Sequence, residues 1–382
     1  MTVEQLIKLI PEKEFNFLSA ETKVDHQVKK LYGSTIFKLI LFSMLNSSKL
    51  SLRVMEAYLK SAQFKNFAGI THLDTKYNSI RDRISTIDCT YFEALFDAIF
   101  KKYNHHLKEC KDIVKVDSTF ISIPTKLLEW GMRNGCFDKH RHIKLTISVK
   151  GTLPCSVQLY TAQSFVNESI ALPDAILKNK FLKESVIVFD RGLQTRKKFA
   201  EFSQNNILFV GRVKTDIDYR LIKNNTIDPK QCSKSVKVIE DIDVKLISNG
   251  KILPETFRLV KAEILKTNQP IYFITNYFDV AATEIATIYK RRWEIELFFK
   301  FLKQHLNLKH IISRNENAMK VMIYMTLILS ILILAYKKEN SVKGYKIAKL
   351  KFEIELDNLM MKEVVILCGG DPAKAPYLFN ST

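Results

Sequence analysis

At Asp112 the chain changes period, and this constrains the fold more than any other feature. The residues before it read as helix. After it come strand-like runs: DIVKVDSTFISI from Asp112, HIKLTISV from His142 and CSVQLYTA from Cys155. A helical stretch from Ser169 to Lys180 leads to the strand SVIVFD from Ser185, a helix start in RGLQTRKKFAEFSQ and the strand ILFVGRV from Ile207. Three strands, then helix, strand, helix and strand exclude an all-helical or all-β chain and predict a mixed α/β core. Asp117 falls within or at the end of the first strand and Asp190 at the carboxyl end of a later one. Strand ends of this kind are where α/β sheets place chemistry.

Residues 214–274 read as a separate β-rich insert. KSVKVIEDIDVKLI alternates, Asn249 and Gly250 supply a turn, and TFRLVKAEIL follows as the partner strand. The core is expected to resume at Ile271–Asn276 and lead into one helix from Thr283 to about Leu306. On that helix Tyr289, Arg292, Glu296 and Lys303 are three, four and seven residues apart. At about 100° per residue they share a stripe roughly 60° wide. Large apolar residues border it: Ile288, Ile295, Phe298, Phe299 and Leu302 on one side, Trp293 and Leu297 on the other. A solvated face has a broad polar arc instead, so the thin line predicts a helix lining a charged cleft.

The amino-terminal region predicts a helix at Ser34–Leu45, a turn at Asn46–Ser48, a helix at Ser51–Ser61, and another opening at Asn78–Arg83 and running on through YFEALFDAIFKKY. Lys76, Arg81 and Arg83 sit at one end of this module and are candidate DNA contacts, against the plainer reading of a helical bundle with a solvated charged end. The chain carries 59 Lys and Arg against 40 Asp and Glu, a net charge of +19. Such a field concentrates polyanions, and nucleic acid is the expected partner. Cys89, Cys110, Cys136, Cys155, Cys232 and Cys368 lie apart with no CxxC pair, which points to a reducing compartment. The Cys136, His140 and His142 spacing matches no common zinc site. MTVEQLIKLIPEKEF lacks the apolar core of a signal peptide. Val321–Tyr336 is 16 residues without a charge. It falls short of the roughly 20 that span a bilayer and is expected as a buried core helix.

Asp117, Asp190 and Glu296 form an oxygen donor set of the kind that Mg²⁺ takes together with water and substrate phosphate. With the Y-x2-R-x3-E-x6-K spacing of Tyr289, Arg292, Glu296 and Lys303, the DSTF at Asp117, the FDRGL at Phe189 and FITN before the helix, the chain resembles a DDE transposase of bacterial insertion sequences. The resemblance is close over residues 110–312 and loose in the flanking helical regions.

The resemblance implies an α/β (α+β) fold: a ribonuclease H-like mixed-sheet catalytic core with a β-rich insertion, flanked by N- and C-terminal helical regions. The expected division is 1–108 for DNA-end binding, 109–312 for catalysis with the insertion at 214–274, and 313–382 for dimerisation. It implies catalytic and metal-holding roles for Asp117, Asp190 and Glu296 with two Mg²⁺ ions, replaceable by Mn²⁺. Tyr289, Arg292 and Lys303 would grip DNA near the cleaved end, with Arg212 and Lys214 as further backbone contacts. The partners implied are double-stranded DNA, as terminal inverted repeats and target, and a second copy in a synapsed homodimer. No membrane is involved, and the location is the bacterial cytoplasm. Relatives stack a flipped base on an aromatic residue of the insert, often Trp. Here Trp130 and Trp293 lie outside it, leaving Tyr219, Phe257 and Tyr272 as substitutes. The rival readings are a structure-selective nuclease on the same core and an inactive, DNA-binding descendant of a transposase.

Overall fold

The computed structural model of the chain describes residues 2–8, 10, 12–47, 50–107, 113–124, 131–133, 140–182, 184–227, 236–306, 308 and 315–374. It contains two compact units, one of Met1–Lys108 with Lys300–Thr382 and one of Glu109–Phe299. The amino- and carboxy-terminal helical regions, read from sequence as separate, thus share one unit.

Seven helices open the helical unit: α1 (Val3–Lys8), α2 (Glu12–Thr22), α3 (Gly33–Asn46), α4 (Leu52–Lys60), α5 (Ala62–Ala68), α6 (Tyr77–Thr86) and α7 (Cys89–Leu107). Ser51 starts α4 because its hydroxyl accepts the Val54 N–H at 3.2 Å. The long helix expected from Asn78 is broken between α6 and α7. Asp88 makes the break, since its carboxylate accepts the Thr90 N–H at 2.9 Å and caps a new helix.

The second unit is built on one nine-stranded sheet. β1 (Ile113–Pro124), β2 (His140–Lys150) and β3 (Leu153–Tyr160) form an antiparallel meander. After α8 (Glu168–Leu177), β4 (Val186–Phe189) pairs parallel to β1; after α9 (Arg196–Gln204), β5 (Leu208–Val213) pairs parallel to β4. The order β3-β2-β1-β4-β5 is ribonuclease H-like. β6 (Tyr219–Asn224), β7 (Val236–Ser248), β8 (Lys251–Ile264) and β9 (Gln269–Thr275) continue the same sheet as β5-β9-β8-β7-β6. The insert is therefore not a separate piece: β9 bonds β5 on one side and β8 on the other. That pairing covers what would otherwise be a bare sheet edge. Asn249 and Gly250, with φ of 51° and 74°, turn the β7–β8 hairpin as their sequence predicts.

Strand alternation sends two sets of side chains to opposite faces. Val188, Val210 and Phe273 pack with α10 (Ala282–Lys290) through Ile285 and Ile288. Phe189 and Phe209 face the other way and stack on Phe199 of α9, with centroids 6.0 and 5.4 Å from its ring. Gly211 stands opposite Phe189 in the β4–β5 register, and a Cβ there would lie 2.5 Å from the Phe189 ring. Gly211→Ala is therefore expected to cost about 1–3 kcal/mol, because the Phe189 ring, packed against Phe199, Phe202 and Phe209, must shift to admit it. Urea unfolding reads this directly; an unchanged midpoint would mean that Phe189 turns aside freely.

The single helix expected from Thr283 is also broken. α10 ends at Lys290 and α11 (Trp293–His305) begins after a tight turn. Arg291 and Arg292 donate their N–H groups to Ile288 and Tyr289, three residues back rather than four, at 3.1 and 2.9 Å.

α12 (Glu316–Glu339) and α13 (Tyr345–Leu367) belong to the helical unit. α12 carries the uncharged run. Its residues from Val321 to Tyr336 are all buried, and it packs against α7, α6 and α13. It is long and apolar enough to cross a membrane, yet it is the core helix of this unit. Thr326 and Ser330 return their hydroxyls to the carbonyls of Met322 and Leu327 at 2.8 and 2.6 Å, which removes their burial penalty. Asn317 donates to the Ile87 carbonyl at 2.6 Å and so ties α12 to the end of α6.

Candidate active site

Three elements of the second unit bring the acidic residues together. Asp117 lies mid-strand on β1, and its Oδ1 accepts the Ser118 N–H at 2.8 Å. Asp190 follows the last residue of β4, and Glu296 lies in the first turn of α11. Arg292, in the turn between α10 and α11, links them. Its Nη2 donates to Glu296 Oε1 at 2.6 Å, and its Nη1 lies 3.9 Å from Asp117 Oδ2. Its charge also reaches Asp190. The Arg292 Nε is buried with no hydrogen-bond partner. Tyr289, at the end of α10, donates its hydroxyl to Asp190 Oδ1 at 2.7 Å.

These contacts separate the two aspartates electrostatically. Burial is the largest influence on Asp117 and, with the nearby Glu168 and Asp190 carboxylates, pushes it up to about 6 against the Ser118 N–H and Arg292. Burial also opposes ionisation of Asp190. There, however, the Tyr289 hydroxyl, the Arg191 N–H and the Arg292 and Arg212 charges together hold it below the usual range. Burial works against the charge of Arg292, but the Glu296 bond and the Asp190 charge outweigh it and hold its pKa above the usual value. Tyr289 is pushed above the ordinary phenol range by burial and by Asp190 beside it.

Among the described residues, no three His, Cys, Asp or Glu side chains stand close enough together to grip an ion as they lie. The donor chemistry nonetheless fits a hard divalent cation. All three acids offer oxygen, and Asp117 is a half-buried carboxyl within electrostatic reach of two others, where added positive charge is favourable.

The remaining predicted residues fall in different places. Arg212, on β5, is within electrostatic reach of Asp190 and Tyr289, while Lys214 is exposed just beyond that strand. Lys303 lies further along α11, in the part that belongs to the helical unit. Lys76 and Arg81 are exposed at and within α6, Arg81 beside Asp82 at 2.8 Å. Arg83 has another occupation. Its guanidinium donates to the Leu31 and Val24 carbonyls at 2.8 Å each and pairs with Asp25 at 3.3 Å, so it holds the segment before α3 rather than facing solvent. Phe257 is fully buried and cannot stack a base, whereas Tyr219 and Tyr272 flank Lys261 at 5.3 and 5.7 Å from their ring centroids. Trp293 and Leu297, the apolar residues on one border of the stripe, are 57% and 39% exposed on α11. Of the imagined Cys136, His140 and His142 set, Cys136 and the His140 side chain lie outside the described residues.

Two groups near the acids escaped the sequence reading. Glu168, first in α8, accepts the Ser118 hydroxyl at 2.7 Å and pairs with the buried Lys144 at 2.6 Å. Lys115, on β1 two residues before Asp117, pairs with Glu294, two residues before Glu296, at 2.7 Å. Only the two-residue offset of Lys115 from Asp117 and of Glu294 from Glu296 could have hinted at the second pair.

Acids on the first strand, just after the fourth strand and on α11, which follows β9 and α10, are carried by a ribonuclease H-like sheet of the kind found in DDE domains. The chain belongs to the transposase DDE domain family, whose profile matches residues 108–332. A domain of unknown function matches residues 2–68. A putative transposase for insertion sequence element IS4SA from Synechocystis sp. is 32% identical over 226 residues, 58% of this chain and 59% of that protein. The putative transposase y4zB of Sinorhizobium fredii is 27% identical over 216 residues, 56% of this chain and 57% of its own length. A probable transposase for insertion sequence element IS5377 from Geobacillus stearothermophilus is 23% identical over 263 residues, 67% of this chain and 66% of its own. The chain thus spans under two thirds of the length of each of these relatives.

Proposed function

We propose that this protein is a DNA transposase. It binds the terminal inverted repeats of its own insertion sequence, hydrolyses the DNA at those ends and joins the freed 3′-hydroxyls to target DNA. The observation that carries this reading is the convergence of the acids on the α10–α11 turn: Arg292 holds Glu296 and lies 3.9 Å from Asp117, and Tyr289 holds Asp190, just after β4, at 2.7 Å. Asp117, Asp190 and Glu296 would hold two Mg²⁺ or Mn²⁺ ions. When bound, such ions activate the attacking oxygen and stabilise the leaving one. Arg292 then turns its fork, including the unpartnered Nε, to a phosphate. Tyr289 orients Asp190 through its hydroxyl, and Arg212, Lys214 and Lys303 neutralise the DNA backbone. Tyr219, Tyr272 and the exposed Trp293 are the aromatic faces on which a displaced base would stack.

Lys76 and Arg81 are the end-binding contacts that this reading retains in the helical unit. A second copy is the expected partner of α13. Ile347, Leu350, Ile354, Met361 and Val364 are exposed on it at three- and four-residue steps or their sum. That is the apolar seam of a two-helix coil, with Asp357 at one seam position. The setting is the bacterial cytoplasm, where the net charge of +19 favours chromosomal DNA.

The test is a DNA fragment bearing the gene's own flanking ends, incubated with protein and Mg²⁺ beside Glu296→Gln. End-specific nicking by the wild type, absent in the variant and in EDTA, is expected. Tight end binding with no cleavage in Mg²⁺ or Mn²⁺ would sink the catalytic reading and leave a binding protein. Cutting that ignores the ends would point to a structure-selective nuclease.

A further inference from the structure

Two ties run from β1 to the start of α11, and they differ in kind. The first is Asp117–Arg292–Glu296, with Arg292 Nη1 3.9 Å from Asp117 and its Nε unpartnered. This tie opens when Arg292 turns to a phosphate. The second is Lys115–Glu294. The Lys115 side chain is fully buried, and its ammonium donates to the Gly151 carbonyl in the β2–β3 turn and to Glu294 Oε2 at 2.7 Å. Arg291 braces the same carboxylate at 3.0 Å.

Lys115 and Asp117 lie on one face of β1, two residues apart, because side chains alternate along a strand. Glu294 and Glu296 share the first turn of α11. That turn directly follows the tight turn at Arg291 and Arg292, whose carbonyls accept the Glu294 and Ile295 N–H groups at 3.0 and 3.1 Å. A buried ammonium is a costly group to place on a central strand, since an apolar side chain fills such a position at less desolvation cost. Its two neighbours on the strand are the buried Val114 and Val116.

We propose that Lys115 and Glu294 form a positioning clasp that keeps the first turn of α11, and with it Glu296, docked on β1 once Arg292 has released Glu296 to a metal ion or turned to the DNA. The proposal rests on the reading of Asp117, Asp190 and Glu296 as metal-holding acids. Neither residue of the clasp touches substrate. They act by fixing the spacing between an acid on the strand and one on the helix.

The test uses the full chain with Lys115→Met, which keeps length and burial but removes the charge. If that variant does not fold, the partly exposed Glu294→Gln carries the same measurements. Mn²⁺ binding is followed by electron paramagnetic resonance, amide hydrogen exchange at residues 293–297 in metal-free protein, and end-DNA binding without metal. The variant is expected to bind Mn²⁺ about 10–100-fold more weakly, the usual range for a residue that orients a metal ligand. Exchange at 293–297 should be faster, and DNA binding unchanged. Wild-type Mn²⁺ affinity in the variant overturns the clasp, whether or not exchange changes, because the pair would then be merely structural. A wild-type protein that binds no Mn²⁺ overturns the reading of the site itself, and the clasp with it.

Discussion

Asp117→Asn is expected to lower end cleavage by about 10³-fold or more while making the metal-free protein more stable at pH 7. The loss of activity follows from replacing a charged oxygen donor by a neutral amide of the same shape in a site that must hold divalent cations. The gain in stability follows from burial. The folded pKa of Asp117 is pushed from 3.8 up to about 6, chiefly by desolvation and by the Glu168 and Asp190 carboxylates. The folded state therefore keeps its proton at a pH where the unfolded chain has released it. Between about pH 4 and 6 the native form binds more protons, so wild-type stability falls as pH rises through that window. Below it the group contributes nothing, and above it the full penalty applies. A rise from 3.8 to about 6 would correspond to about 3 kcal/mol, which the 30% exposure of the side chain reduces to about 1–2 kcal/mol. Urea unfolding in EDTA should show wild type and variant converging near pH 4 and separating towards pH 7. A flat difference, or a variant less stable at pH 7, would rule out burial as the source of the shift.

Much of the candidate site's convergence was legible because the chemistry and the local spacing coincide. Tyr289, Arg292 and Glu296 are close in sequence, so their convergence needs little from the rest of the fold. Asp117 and Asp190 were placed by strand runs whose apolar character is strong, and β1 and β4 do lie side by side. The breaks in the helices were not legible. No Gly or Pro marks the turn at Arg291 and Arg292, and the cap at Asp88 interrupts a stretch that keeps helical periodicity on both sides. β6 escaped notice because residues 220–224 are exposed and show no alternation. The joint helical unit depends on contacts such as Asn317 to Ile87 and Glu355 to the Val3 N–H, which join distant parts of the chain and leave no local pattern. Arg83 misled for the same reason. A basic residue on a helix looks solvated until the carbonyls of Val24 and Leu31 are found around it.

Arg292→Ala carries the other large expectation, because one side chain has two separate tasks. In the metal-free protein it is a counter-ion for three acids, with only 13% of its side chain exposed. Removing it leaves Asp117, Asp190 and Glu296 facing one another without that compensation. Breaking a buried pair costs about 3–5 kcal/mol, and partial exposure of Asp117 and Glu296 lowers this to about 1–3 kcal/mol. Divalent cations replace the missing charge, so Mg²⁺ should raise the melting temperature of the variant more than that of the wild type. Cleavage should not recover with it. With Mg²⁺ saturating, the rate is expected to stay about 10²–10³-fold down, the scale for losing one preorganised donor to a reacting oxyanion. Arg292→Lys should recover much of the stability and little of the rate, since an ammonium supplies the charge without the planar fork. Equal Mg²⁺ stabilisation of wild type and Arg292→Ala would discard the counter-ion role. Full activity in Arg292→Lys would reduce the phosphate contact to a simple charge.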